Sequence, residues 1–231
     1  MRARAMQLTT KPIIYPSSDG QPMADSTIQY KLITKIKEGC ESLYKNDENV
    51  FVAADLLWYP VEGSPEISQA PDVMVIFGIP KTERQSYLQW QENNITPQVV
   101  FEIRSFNDSQ TKINRKFTFY TRHGVEEYYL YDPQDNELSG WQRIEGLLEV
   151  IDPMPGWVSP RLGVRFELGE NGLEIYRPDG QKFLSYSELE EQRELAQQRA
   201  QQQAKRAQQQ AQRAERLAAK LRELNIDPDS I

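Results

Sequence analysis

Apolar and polar positions alternate along this chain in two periods, and the switches between them outline its elements. Ile28, Leu32, Ile36, Cys40 and Leu43 fall at helical spacing and predict an amphipathic helix over 27–45, with Asp25 or Ser26 as its cap. The run 49–59 predicts a strand bounded by Pro60, with Gly63-Ser64-Pro65 as a turn. Residues 72–77 are apolar on both alternating faces after the first position, the pattern of a central strand covered on both sides. A polar stretch over 80–97, with Pro80 and Pro97 at its ends, predicts a long excursion before a second buried strand over 98–103. A helix over 111–122 is ended by His123-Gly124. Strands over 126–132, 138–144 and 147–151 predict an antiparallel meander, and 164–186 adds two or three short strands around Asn171-Gly172 and Asp179-Gly180. The class is α/β, with a mixed central sheet flanked by helices.

At Ser187 the character changes. The segment to Leu224 has no Gly or Pro and is dominated by Gln, Ala, Arg, Glu and Leu. Ala200, Ala204, Ala207, Ala211, Ala214, Ala218 and Leu221 step by four and three, which is a heptad stripe, and Asp227-Pro228 ends it. Alanine buries little area, so the stripe suits either a solvated single helix or a weak coiled coil joining two copies or a partner through 187–224. The expected division is a folded domain over 1–186 and a helical tail over 187–231.

Composition narrows the possibilities. No apolar run approaches the ~20 residues of a membrane span, and Met1-Arg2-Ala3-Arg4-Ala5-Met6-Gln7 lacks the apolar middle of a secretory signal. One cysteine, Cys40, excludes an internal disulfide and fits a reducing cytoplasm, the expected compartment; its place on an apolar helix face makes it a core residue. The net charge of −7 argues against a nonspecific DNA-coating surface but not against an enzyme with a local basic cleft. With a single histidine, His123, neither a His-based triad nor a zinc cluster can be built, and no phosphate-cradling Gly-rich loop is present. Trp58, Trp90, Trp141 and Trp157 suit packing better than base stacking.

Two acids stand out against this background. Glu102 interrupts the core run Val99-Val100-Phe101-Ile103, where a carboxylate must be paired, ligated or protonated. Asp72, thirty positions earlier, follows Pro71 at the start of the other buried strand. If Val100 and Glu102 share a face, both acids reach one point and offer hard oxygen ligands to Mg²⁺, with Mn²⁺ as a substitute. Asp55 either completes this cluster or merely ends its own strand. On the simplest nuclease pattern the lysine slot is occupied by Arg104, which binds phosphate but cannot act as a base. Lys112, Arg115 and Lys116 lie one element later, with Tyr120 as a further phosphate-contact or packing residue.

The blocks Tyr15-Pro16-Ser17-Ser18-Asp19-Gly20, Asp55-Leu56-Leu57-Trp58-Tyr59-Pro60, Pro71-Asp72-Val73, Val100-Phe101-Glu102-Ile103, Lys116 to Tyr120 and Gly124-Val125-Glu126-Glu127-Tyr128-Tyr129 occur in an order and spacing that resembles the Uma-type family of bacterial restriction endonucleases, within the PD-(D/E)XK nuclease-like superfamily. The resemblance covers roughly 12–186. It implies a restriction-endonuclease-like sheet, Mg²⁺-dependent hydrolysis of DNA, Asp72 and Glu102 as metal ligands with Asp55 assisting, and a lysine moved onto the following helix, at Lys116. The chain departs from the family at Arg104-Ser105-Phe106-Asn107, where a large apolar residue, serine and proline are usual. The rival expectation is a catalytically silent nuclease fold working through its C-terminal coil, with Arg104 paired to an acid in the cation's place.

Overall fold

In the computed structural model, residues 13–223 are described. The N-terminal heptapeptide read for a signal, and Leu224 with Asp227-Pro228 at the end of the tail, lie outside them. The chain divides into two compact units, one ending at Phe183 and the other beginning at Leu184.

The first unit is built on a six-stranded sheet. Its strands are β1 (Val50–Ala53), β3 (Val73–Phe77), β5 (Val99–Ile103), β6 (Glu127–Asp132), β7 (Glu137–Ile144) and β8 (Leu147–Val150), in the order β1-β3-β5-β6-β7-β8. Only β5 and β6 run parallel; the helix α2 (Gln110–Arg122) makes the crossover between them. Two small pairs complete the unit: β2 (Trp58–Tyr59) beside β4 (Tyr87–Leu88), and the hairpin β9 (Arg165–Gly169) with β10 (Gly172–Tyr176).

The double-sided apolar runs have the physical cause expected of them. Val73, Val75, Val99, Phe101 and Ile103 point to one face, under α1 (Thr27–Leu43) and the β9–β10 hairpin, where they meet Ile33, Ile36, Cys40 and Phe166. Met74, Ile76 and Val100 point to the other, under α2, where they meet Trp58, Tyr120 and Tyr128. Gly39 allows α1 to sit against Phe183; a Cβ there would collide with the ring.

Three expectations need correcting. The run 49–59 is not one strand: Asp55 has a left-handed φ of 50°, which ends the pairing of β1 and sends Trp58–Tyr59 to β4. The excursion over 80–97 therefore contains a strand of its own. The buried face of α1 centres on Gln29, Ile33, Ile36 and Cys40, while Ile28 is exposed. Gln29 can be buried because its side chain is satisfied: Oε1 accepts from Asp25 N at 2.8 Å and Nε2 donates to Ile103 O at 3.0 Å.

Both ends of α2 are fixed. Ser109 Oγ accepts from Lys112 N at 3.2 Å, and His123 N donates to Phe119 O at 2.9 Å before Gly124 takes a φ of 90°. Arg143 on β7 then gathers the carbonyls left at the C-terminal end. Its guanidinium donates to Thr121 O and Val125 O, both at 2.7 Å, to Tyr120 O at 3.2 Å, and to Gly146 O. Arg143→Ala is expected to cost about 2 kcal/mol in urea unfolding, because several buried or half-buried acceptors lose their donor together. Arg143→Lys recovers little of this, since one ammonium cannot span the same carbonyls.

The second unit is the helix α3 (Tyr186–Glu223), opened by a capping box. Ser185 N donates to Glu188 Oε2 at 2.7 Å, and Glu188 N donates back to Ser185 Oγ at 3.4 Å. None of the described side chains of α3 is buried, the alanine stripe included. Among the described residues no helix is long and apolar enough to cross a membrane.

Candidate active site

Sheet register brings the acids together. In the antiparallel pair β3–β5, Val73 lies opposite Phe101 and Met74 opposite Val100, so one further step sets Asp72 across from Glu102. Cross-strand neighbours of this kind have Cβ atoms roughly 5 Å apart. In the β1–β3 pair Ala53 lies opposite Met74, where the pairing ends, and Asp55 follows two residues later. Asp55 N donates to Pro71 O at 3.1 Å, but the left-handed turn there swings its side chain out to solvent. Glu102 and Asp72 share the sheet face covered by α2.

Glu102 is 3% exposed and both its oxygens are engaged from α2. Lys116 Nζ lies 2.6 Å from Oε2, and the Tyr120 hydroxyl donates to Oε1. Lys116 and Tyr120 are one helical turn apart, which is why one carboxylate meets both. Asp72 Oδ2 accepts from Ile103 N at 2.6 Å, and the carbonyl of that same residue is the acceptor for Gln29.

The charges are strongly coupled. Burial, then the charge of Glu102, pushes the Asp72 carboxyl well above its ordinary range, with Lys116 offsetting part of the effect. For Lys116 burial pulls the pKa down, but the charges of Glu102 and Asp72 outweigh it and the ammonium is held above its ordinary value. In this arrangement Lys116 is an ammonium that donates to Glu102. Burial and Glu102 push Tyr120 well up, so it remains a hydroxyl. Tyr128, on β6 beside Val100, has a buried hydroxyl with no hydrogen-bond partner, and it feels the charges of Glu102, Asp72 and Asp108. Asp55 is raised by partial burial, then by Asp19, with Lys116 lowering it.

The remaining candidates are placed apart from the pair. Arg104 donates to Asp132 Oδ2 at 2.8 Å and lines a cleft of about 260 Å³ between α2 and β6–β7. It occupies neither carboxylate of the Asp72–Glu102 pair. Lys112 pairs with Asp108 at 2.6 Å, and Arg115 is exposed on α2. Tyr120 is fully buried and turned to Glu102 rather than to solvent. The expected trio is thus a close pair, Asp72 and Glu102, with Asp55 at the rim. Among the described residues no group of three or more His, Cys, Asp or Glu is set to hold a metal ion.

Gln29 and Asp108 escaped the sequence reading, which has Asp25 only as a helix cap and Tyr128 only within a family block. Asp25 accepts from the Ser105 hydroxyl at 2.7 Å, and Asp108 Oδ2 accepts from Ser105 N at 2.9 Å, so both brace the loop after β5. Gln29 carried a usable signal, being four residues before Ile33 on the helix; Asp108 carried none.

The sequence profile described as "Putative restriction endonuclease", that of the Uma2 family, matches residues 14–169. The chain belongs to the Uma2 family. Its matched segment contains Asp55, Asp72, Glu102, Lys116 and Tyr120 and stops before α3. Among solved structures, a "putative nuclease belonging to DUF820 from Anabaena variabilis ATCC 29413" is similar at 20% identity with a TM-score of 0.44, covering 60% of this chain and 74% of that one. No curated protein matches this Uma2 member.

Proposed function

We propose that this Uma2 protein is a magnesium-dependent endonuclease hydrolysing DNA phosphodiester bonds, with manganese able to replace magnesium. The observation that carries the reading is the Asp72–Glu102 pair, two buried carboxylates on adjacent strands facing one ammonium. Family membership supports it. The donor set fits a hard cation: magnesium is held by one or two carboxylates and keeps several waters. The unpartnered hydroxyl of Tyr128 gives such a water a protein partner. A bound cation would polarise the phosphoryl oxygen and lower the pKa of a water.

The chain's own residues do the rest. Asp72 and Glu102 are the ligands, and Asp55 at the rim assists through water. Ile103 N and Tyr120 fix the two carboxylates in orientation. Lys116, as an ammonium on a flexible stem, exchanges Glu102 for a phosphate oxygen and stabilises the charge that builds there. Arg115, exposed on α2, is placed to meet a backbone phosphate, whereas Lys112 and Arg104 are held by Asp108 and Asp132 and meet one only by leaving those pairs. The test is cleavage of supercoiled and linear DNA with Mg²⁺ or Mn²⁺ and its loss with EDTA. No cleavage, together with no heat of Mg²⁺ binding, overturns the reading.

One observation favours a second reading: Lys116 already satisfies Glu102 as a cation would. In that case the fold is a silent scaffold and α3 its working part. Sedimentation then shows a dimer for the full chain, a monomer for a chain ending at residue 186, and no metal dependence in either.

A further inference from the structure

Phe106 is 84% exposed, and the loop that carries it is held on every side. Before it, Arg104 N donates to Tyr131 O at 2.8 Å and the Arg104 guanidinium pairs with Asp132. Ser105 is buried, with its hydroxyl on Asp25 and its N–H on Asp108. After it, Asn107 N donates to Ser105 Oγ at 3.3 Å, Asp108 N donates to Ser105 O at 3.0 Å, and Ser109 caps α2. A ring is thus presented to solvent from a fixed backbone. Every residue from 104 to 109 other than Phe106 is polar, so the ring has no apolar neighbour along its own loop. Phe106 lies four positions after Glu102, which limits their Cα atoms to about 14 Å. That is a span of a few nucleotides along a strand entering the site.

We infer that Phe106 is the base-stacking element of the site and that the favoured substrate is single-stranded or locally unpaired DNA. The inference rests on the nuclease reading and deepens it. An aromatic face on a rim loop stacks on a base only where that base is out of its own stack, and stacking is indifferent to which base it meets. Arg104, beside it, faces the phosphates of the same strand.

The experiment is binding of a fluorescein-labelled single-stranded oligonucleotide to the full chain, by anisotropy, with Ca²⁺ replacing Mg²⁺. Phe106→Ala is expected to weaken binding about tenfold, and no less than about fivefold. Phe106→Trp keeps affinity within about twofold, and an abasic oligonucleotide of equal length binds the wild type and Phe106→Ala alike. Equal affinity of wild type and Phe106→Ala for the normal oligonucleotide overturns the inference, while Glu102-dependent cleavage leaves the nuclease reading standing. A change in oligomeric mass without a change in DNA affinity makes the ring a protein contact and equally overturns it. Wild type that neither binds nor cuts DNA removes the nuclease reading itself, and this inference falls with it.

Discussion

Glu102→Gln is expected to lower metal-dependent DNA cleavage by at least about a thousandfold, and Lys116→Ala by about a hundred- to a thousandfold. Glutamine keeps the shape and an acceptor for Tyr120 but removes the charge that holds both cation and ammonium. Because Glu102 and Lys116 touch, the double variant should lose much less than the product of the two single effects. Stability separates them further. Lys116→Ala strands a 3%-exposed carboxylate without its partner, and urea unfolding should show a loss of about 3 kcal/mol. Glu102→Gln takes from the ammonium its direct partner but leaves it Asp72 and a side chain long enough to reach solvent, so it loses less. Lys112→Ala serves as the control: its ion pair is with Asp108, and cleavage should stay within about tenfold of wild type. Activity that survives in Lys116→Ala moves the positioning role to Lys112 or Arg104.

How much of this site was readable without coordinates depends on whether the signal was local. The two buried strands announce themselves as unbroken apolar runs, and Glu102 as the one acid inside such a run. The phase of α2 is also local: Ile113, Lys116, Phe117 and Tyr120 share one side, but Lys112 lies one turn from Lys116, and it is the family resemblance that points to Lys116. The meeting of Asp72 with Glu102 is not local. It follows from the Val73–Phe101 register, a pairing across some two dozen intervening residues that no periodicity specifies. Along the chain Asp55 stays open between joining the cluster and only ending its strand, since an acid after a strand gives no sign of a left-handed turn. Gln29 shows the same limit at the level of packing. Its buried place is satisfied by one local backbone group, Asp25 N, and one distant one, Ile103 O, and the distant one is invisible along the chain.

Asp72→Asn is expected to raise the thermal midpoint by a few degrees at pH 7–8 when no divalent cation is present. The Asp72 carboxyl is raised above its unfolded value, first by burial and then by Glu102. The protonated form is therefore the one the fold favours. Its stabilising contribution is complete below the ordinary carboxylate range and is lost as pH rises through the raised value, so near neutrality the ionised group works against folding. Asparagine removes the charge and keeps an oxygen to accept from Ile103 N, so the gain should shrink on acidification and disappear below about pH 3, where Asp72 is protonated in both states. Mg²⁺ should reverse the order. A cation held only by the folded state stabilises it by about 2.7 kcal/mol at a hundred times its Kd, worth several degrees for a chain of this size. Wild type receives that increment and Asp72→Asn does not, so the variant melts higher without the metal and lower with it. A variant that still responds to Mg²⁺ would take Asp72 off the cation. One that gains nothing in the metal's absence would mean that Lys116 already balances both acids, and the buried pair would then be a closed ion network rather than a site waiting for a cation.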